Sequence, residues 1–340
     1  MQTQDIKRRI KSVKSTQQIT RAMKFVAAAK LRRAQERMLA MRPYADSLEV
    51  LIQHIALDLI GDEHPLLVPP QQVKRVAFVV IAGDRGLCGG FNTTLIKGAM
   101  GFVRHKAPAT PVFFSVGKQA TNSIRKNGYT ILKNYHDVFE KLSYVLSGSI
   151  CDQLVEMATT RDPKEHIDEA YLIYSEFVTM LTQRPVIRKL LPLDLKSFLP
   201  RNADSAAPII PEDGIIEEVD LPDNPDDIFD LADREDALLA EIGEEEAKQK
   251  AQPSRPIYEL LPDPTAALER LISRRMATEV YRGTLESYAA ELAARMTAMD
   301  NATANADEMI SDLTLSFNRA RQTGITGELL DIIGGANALG

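Results

Sequence analysis

The glycine-rich stretch GDRGLCGGFN, residues 83–92, is the part of the sequence that comes nearest to a pattern with chemistry. It follows a continuous apolar run, Arg75 to Ala82, and precedes a predicted helix, which is the context of a phosphate-binding loop. However, its glycines do not form GxGxxG, and the sequence GxxxxGK[ST] is absent. We interpret the stretch as a tight turn whose Asp84 and Arg85 contact another surface, and nucleotide binding is the alternative.

Other reactive side chains are scattered. Cys88 lies among glycines and could act as a nucleophile, but no His or Asp can be placed beside it from the sequence. Cys88 and Cys151 form no CxxC pair, and the five histidines have no ligand spacing. The sequence therefore predicts no metal site, no cofactor and no independent active site.

The longest predicted elements of the chain are two helices, one at each end. In both, seam residues recur every three and four positions in alternation, which is the 3.5-residue period of a coiled coil. The first seam runs from Ile6 to Leu59, with a polar middle at Gln17, Thr20 and Lys24. The second runs from Leu268 to Ala320. Two such helices in one chain pack most simply as an antiparallel pair. Pro43 is expected to kink or interrupt the first helix.

Strands and helices alternate between these two helices. Predicted strands are 75–82, PVFFSVG, 129–132, 169–175 and 185–191, and Asn92 is a plausible cap of a helix that ends at His105. The predicted fold is an antiparallel two-helix coiled coil, made by the N- and C-termini, with a Rossmann-like α/β domain between them. The predicted divisions are 1–60 and 264–340 for the coiled coil, 73–200 for the α/β domain and 204–252 for an acidic insertion.

Charge is unevenly divided along the chain. The net charge is −6, yet residues 1–42 hold 12 Lys and Arg against two acids, and 204–252 holds 17 Asp and Glu against three bases. A basic helix beside a coiled coil could bind DNA, but that arrangement needs a parallel, dimerising zipper. We favour acidic protein surfaces as partners. The sequence has no apolar run long enough to cross a membrane and no signal-peptide core. Its basic start resembles a mitochondrial presequence, but the heptads continue too far.

Three long motifs carry a family resemblance. IKRRIKSVKSTQQITRAMKFVAAAKLRRAQ at the start, DRGLCGGFN after the first strand, and ELAARMTAMDNATANADEMISDLTLSFNRARQTGITGELLDIIGGANAL at the end resemble the γ subunit of the F-type ATP synthase. The resemblance covers residues 1 to about 200 and about 255 to 340. It implies a non-catalytic rotor shaft that transmits torque between the membrane c ring and the catalytic β subunits of a proton-translocating complex. The runner-up is a nucleotide-binding α/β enzyme with coiled-coil arms.

The resemblance also implies partners and a location. The partners are three α and three β subunits, the ε subunit and the c-subunit ring, with no nucleic acid. The chain would be peripheral on the cytoplasmic side of a bacterial inner membrane, touching the membrane only through the c ring. Matching positions suggest contacts with the β subunit at the shaft, at a collar-facing loop and at a catch. These are Met23 and Lys24; Arg85, Gly86, Leu87 and Cys88; and Arg321, Gln322 and Thr326.

The acidic stretch 204–252 departs from the family pattern. Photosynthetic relatives carry a cysteine pair in an insertion of this region, but this stretch has no cysteine, so a dithiol switch is not expected. We expect an acidic accessory element that restrains ATP hydrolysis. A solvated loop without kinetic effect is the alternative.

Overall fold

Two helices at the ends of the chain are far longer than the others. In the computed structural model, which describes residues 3–58, 66–193 and 264–338, α1 spans Thr3–Asp58 and the C-terminal helix, α5, spans Pro264–Ala338. From Ile6 to Leu48, every predicted seam position of α1 is at least half-buried, while most of the residues between them are exposed. Ile52, Ile55 and Leu59 lie outside the described side chains. The predicted period of this helix is therefore confirmed over the part that can be read.

The two helices are antiparallel, as predicted. Thr20 Oγ1 lies 2.7 Å from Thr303 Oγ1, and Lys24 Nζ donates to Asp300 Oδ1 at 2.6 Å. Further along, Ala27, Leu31 and Ala34 pack against three apolar residues of α5 between Ala289 and Ala293. The residue numbers along α1 rise as those of the partner residues on α5 fall, so the two seams stay in register over many turns.

Pro43 does not interrupt α1, although an interruption was one of the two expected outcomes. The helix continues through it to Asp58. Proline removes the backbone bond to the carbonyl four residues earlier, but Pro43 is on the exposed side of α1. Packing of the opposite, seam side against α5 holds the helix together there.

A five-stranded sheet lies between the long helices in sequence. Its strands are β1 Arg75–Ile81, β2 Thr110–Val116, β3 Ile131–Tyr135, β4 Glu169–Phe177 and β5 Gln183–Leu191. Their order is β3-β2-β1-β4-β5, with β1 to β4 parallel and β5 antiparallel to β4. The third strand begins two residues later than predicted, because the Tyr129 amide still bonds to the Ile124 carbonyl at the end of the preceding helix. The sheet is largely parallel, as predicted.

Three short helices and part of α5 cover the two faces of the sheet. Helices α2 Phe91–His105 and α3 Lys118–Lys126 pack on one face. Helix α4 Tyr144–Thr159 and the α5 segment from Ile272 to Val280 pack on the other. Gly283 lets α5 approach the sheet closely, since a Cβ there would be 3.0 Å from Leu172 and 3.2 Å from Tyr174. Between Met276 and Ala293 all residues of α5 are buried or half-buried, because α1 covers one side of the helix and the sheet covers the other.

The acidic insertion 204–252 lies outside the described residues, and the proposed division into domains stays a prediction. Within the described ranges, no helix combines the length and apolarity needed to cross a bilayer.

Candidate functional site

The glycine-rich loop leaves the carboxyl end of β1 and is fixed by hydrogen bonds on both sides. Asn92 does not cap α2, contrary to the prediction; Gly90 occupies the cap position. The Asn92 Oδ1 atom instead accepts a bond from Gly83 N at 2.9 Å, and its Nδ2 atom lies 3.1 Å from Cys88 Sγ. Asn92 therefore ties the first and last parts of the loop together, which only the fold could reveal.

Helix α5 fills one side of the crevice at the end of β1. Ser287 Oγ donates to the Ile81 carbonyl at 3.3 Å, and a Cβ on Gly83 would be 3.0 Å from Glu291 Oε2. Glu291 is buried and bonded to Arg295. Burial raises the pKa of Glu291, and Arg295 opposes that shift. Helix α5 therefore occupies the side of the loop where a nucleotide-binding enzyme would need to hold its substrate.

Cys88 is held inside the fold. Its side chain is only 2% exposed, in a cluster with Phe91 and Ala290. Burial raises the pKa of the Cys88 thiol, and nearby Glu291 raises it further, so the reactive thiolate is disfavoured. This environment suits a packing residue better than the nucleophile considered from sequence. A partner contact at Cys88 stays a prediction.

Residues 85–87 of the same loop face outward. Arg85 forms an exposed ion pair with Glu140 at 2.5 Å, and the Gly86 carbonyl accepts a bond from Arg295 at 3.4 Å. Leu87 has φ of 63° and is 67% exposed. A leucine in the left-handed region with its side chain in solvent is strained and unburied, a combination that occurs at contact sites. The loop thus presents a charged and an apolar group to the surroundings.

The predicted shaft residues lie beside this loop. Met23 and Lys24 are half-buried, and Lys24 is engaged by Asp300. Both groups lie at the same level of α5, since Ala298 lies beside Gly89 and Asp300, two residues later and on nearly the opposite side of the helix, bonds Lys24. Large apolar side chains are exposed on the same part of the coil: Ile19, Phe25, Val26, Met309 and Leu315.

The three predicted catch residues lie further along α5. Arg321, Gln322 and Thr326 are all exposed. At about 1.5 Å of rise per residue, Arg321 is roughly 30 Å from Asp300 along the helix. The first two groups therefore lie at the same level along α5, on different sides of it, and the third group lies apart.

A row of ion pairs along α5, whose carboxylates are buried, was not predicted from the sequence. Arg275 binds Glu279 at 2.9 Å and Arg282 binds Glu286 at 2.8 Å. The Arg-x-x-x-Glu spacing of both pairs was a readable signal. Arg275 and Arg282 occupy positions of the 3.5-residue seam that runs from Leu268 to Ala320, and the sequence did not show that a sheet would cover the neighbouring face. Within the described ranges, no group of three or more His, Cys, Asp or Glu residues is placed to hold a metal ion.

Comparison with known proteins shows which family the chain resembles. Residues 2–339 match the family model described as ATP synthase. ATP synthase gamma chains from Pelotomaculum thermopropionicum and Heliobacterium modesticaldum are 39% and 37% identical over 335 and 336 residues. These alignments cover 98% and 99% of this chain and 98% of each relative.

Solved structures share the fold. A chain of the Euglena gracilis mitochondrial ATP synthase OSCP/F1/c-ring assembly has a TM-score of 0.60 at 19% identity, covering 99% of this chain and 94% of its own. A chain of the rotor of the same enzyme has a TM-score of 0.55 at 17% identity, with 95% and 98% covered. With the sequence matches along almost its whole length, the chain belongs to the ATP synthase gamma chain family.

Proposed function

We propose that this chain is the central rotor shaft of a proton-translocating F-type ATP synthase. The coiled coil of α1 with α5 transmits torque between the membrane c ring and three catalytic β subunits, which alternate with three α subunits around it. The chain itself supplies no catalytic group. The ε subunit and the c ring hold its foot, and the complex lies on the cytoplasmic side of a bacterial inner membrane, with no nucleic acid bound.

One observation carries this proposal: the coil continues beyond the α/β domain as a two-helix rod with apolar side chains on its outside. From Asp300 to Ala320, the buried positions of α5 are almost all seam positions that face α1. Phe25 and Leu315 point away from the seam and are 66% and 56% exposed. Large apolar side chains left in solvent along a rod suit a surface that a partner covers. A rod that turns inside a ring needs such a surface, with contacts that differ between ring positions instead of one tight contact.

Stiffness follows from the seam. Each fully buried leucine, isoleucine or methionine contributes about 1.5–3 kcal/mol, and the polar pairs Thr20–Thr303 and Lys24–Asp300 fix the register. A rod that cannot slip along its own axis transmits rotation from one end to the other.

Affinity purification of the tagged full chain from solubilised membranes tests the proposal. We expect α, β, ε and c subunits to co-purify with ATP hydrolysis activity. Purification of the chain alone, with micromolar ATP affinity, would instead support the enzyme alternative. Steeply salt-dependent DNA affinity would support a nucleic-acid binder.

The catch residues can be tested in the same complex. Replacing Arg321 and Gln322 with alanine should lower ATP synthesis in membranes at least several-fold without unfolding the chain, because both side chains are exposed. Thr323→Val, on the same turn and also exposed, is the matched control. Unchanged synthesis and assembly in the double variant would remove these residues from the proposed contact.

A further inference from the structure

An ion pair of α5 reaches the middle of the glycine-rich loop. Arg295 Nη2 donates both to the Glu291 carboxylate and, at 3.4 Å, to the Gly86 carbonyl. The side chains of Arg295 and Glu291 are only 14% and 4% exposed. Hydrogen bonds from a charged donor are stronger than those between neutral groups, and more so where water is excluded. Arg295 therefore connects the loop to α5 through a largely buried side chain.

This connection lies next to the strained residue of the loop. Leu87 follows Gly86 and has φ of 63°. A strained backbone persists only where the surrounding structure holds it. On one side of Leu87, the Gly86 carbonyl is bonded to Arg295, and on the other side Cys88 is buried. Loss of the Arg295 bond should therefore release one of the two anchors and let residues 85–87 move away from α5.

The same residues cover the thiol of Cys88. Cys88 Sγ donates to the Arg85 carbonyl at 3.9 Å, and Asn92 Nδ2 lies 3.4 Å from that carbonyl and 3.1 Å from Sγ. The Arg295–Glu291 pair is also close to the thiol: burial raises the pKa of Cys88 most, Glu291 raises it further and Arg295 opposes the rise. The accessibility of Cys88 thus reports the position of the loop.

A second ion pair of the loop provides a comparison. Arg85 pairs with Glu140, but these side chains are 74% and 53% exposed. Exposed pairs contribute little because water and salt screen them. Removal of one partner of a buried pair has a larger effect, because it leaves an uncompensated charge inside the protein. The burial of the two pairs therefore favours Arg295 over Arg85 as the residue that holds the loop.

We propose that Arg295 is a positioning residue that fastens the glycine-rich loop to α5 and holds Arg85 and Leu87 in their outward positions. Because α5 is also one half of the coil, the loop then turns together with the rod. The consequence for partner contact rests on the proposed function, whereas the attachment of the loop to α5 does not.

Thiol labelling of the purified full chain with N-ethylmaleimide, followed by peptide mass spectrometry, tests the attachment. Cys88 and Cys151 are both buried in the parent, so both should react slowly. Arg295→Gln should raise the labelling rate of Cys88 about tenfold or more, while the rate of Cys151 stays at the parent value. Glu140→Gln is the matched control, because it breaks the exposed pair of the same loop, and it should change the Cys88 rate by less than about twofold.

Arg295→Lys separates the two bonds of the arginine. Lysine keeps a positive charge beside Glu291, but its single nitrogen is one bond closer to the backbone and cannot also reach the Gly86 carbonyl. The Cys88 rate should lie between those of the parent and Arg295→Gln. If Arg295→Gln exposes both thiols by unfolding, Arg295→Lys decides. A Cys88 rate in Arg295→Lys equal to that of the parent, or a Cys151 rate that rises with it, would overturn the proposal.

The effect on partner contact is measured in membranes that contain the assembled complex. Arg295→Lys should lower the ratio of ATP synthesis to ATP hydrolysis by about twofold or more without loss of assembly. An unchanged ratio, in a variant whose isolated chain exposes Cys88, would overturn the role of Arg295 in partner contact. A parent chain that does not co-purify with the partner subunits would instead count against the proposed function, and the labelling rates would still decide whether Arg295 holds the loop.

Discussion

The hydroxyl pair at the seam of the coil gives the sharpest prediction. Thr20 and Thr303 are each 8% exposed, and their Oγ1 atoms are 2.7 Å apart. Each hydroxyl also lies near a backbone carbonyl of its own helix: Gln17 O at 3.0 Å and Met299 O at 2.8 Å. One hydroxyl therefore donates across the seam while the other donates along its helix.

Replacing one threonine with valine keeps the shape and removes one hydroxyl. In Thr20→Val, the Thr303 hydroxyl still donates to the Met299 carbonyl, so no buried donor is left unpaired. The loss is one buried hydrogen bond, about 1 kcal/mol. Thr303→Val should cost the same for the same reason. In the double variant two methyl groups meet across the seam, and the total cost should also be about 1 kcal/mol or less.

The measurement is a double-mutant cycle by urea unfolding of the full chain, followed by circular dichroism. The expected coupling between the two sites is about 1 kcal/mol. Thr16→Val, on the exposed side of α1, is the control and should change stability by less than about 0.5 kcal/mol. Additive effects of the two substitutions, or single variants as stable as the parent, would refute the inference that these hydroxyls join the helices.

Three other predictions concern the α/β domain and the insertion. Gly117 has φ of 93°, and a Cβ there would lie 2.0 Å from the Ala82 carbonyl oxygen. Gly117→Ala should therefore lower the free energy of urea unfolding by about 3 kcal/mol. The control, Gly101→Ala, lies in open space within α2 and should stabilise the protein by about 0.5–1 kcal/mol. Burial alone would raise the pKa of Glu169, but hydrogen bonds, chiefly from Lys106, lower it overall. The Glu169 carboxylate therefore stabilises the fold above its unfolded pKa, and Glu169→Gln should cost about 2 kcal/mol of unfolding free energy at pH 7. The difference between variant and parent should shrink as the pH falls through the folded pKa. A difference that stays constant with pH would argue against an ionised Glu169. Deletion of 204–252 should raise ATP hydrolysis relative to synthesis, and no change in either would favour a loop without kinetic effect.

Periodicity in the sequence was sufficient to predict the coil. A 3.5-residue repeat specifies which side of each helix is buried, and two matching repeats in one chain specify a partner. The alternation of apolar runs with helical segments similarly predicted the α/β class, since buried parallel strands read as continuous apolar stretches. Both patterns are local, so the sequence displays them directly.

The role of individual side chains depended on contacts between distant residues. Asn92 reads as a helix cap because its neighbours predict a helix, yet Gly83 takes its oxygen. Glu291 was not singled out from the sequence, but the loop after β1 covers it.

The sequence by itself determined that this chain is a two-helix rod with an α/β domain, because hydrophobic period and family motifs are properties of short windows. Only the tertiary structure decided that α5 closes one side of the crevice at β1 and leaves a cleft on the other. That choice depends on how closely a helix can approach a sheet. Helix α5 can approach the sheet here because Gly283 has no side chain, and any side chain at that position would meet Leu172 and Tyr174.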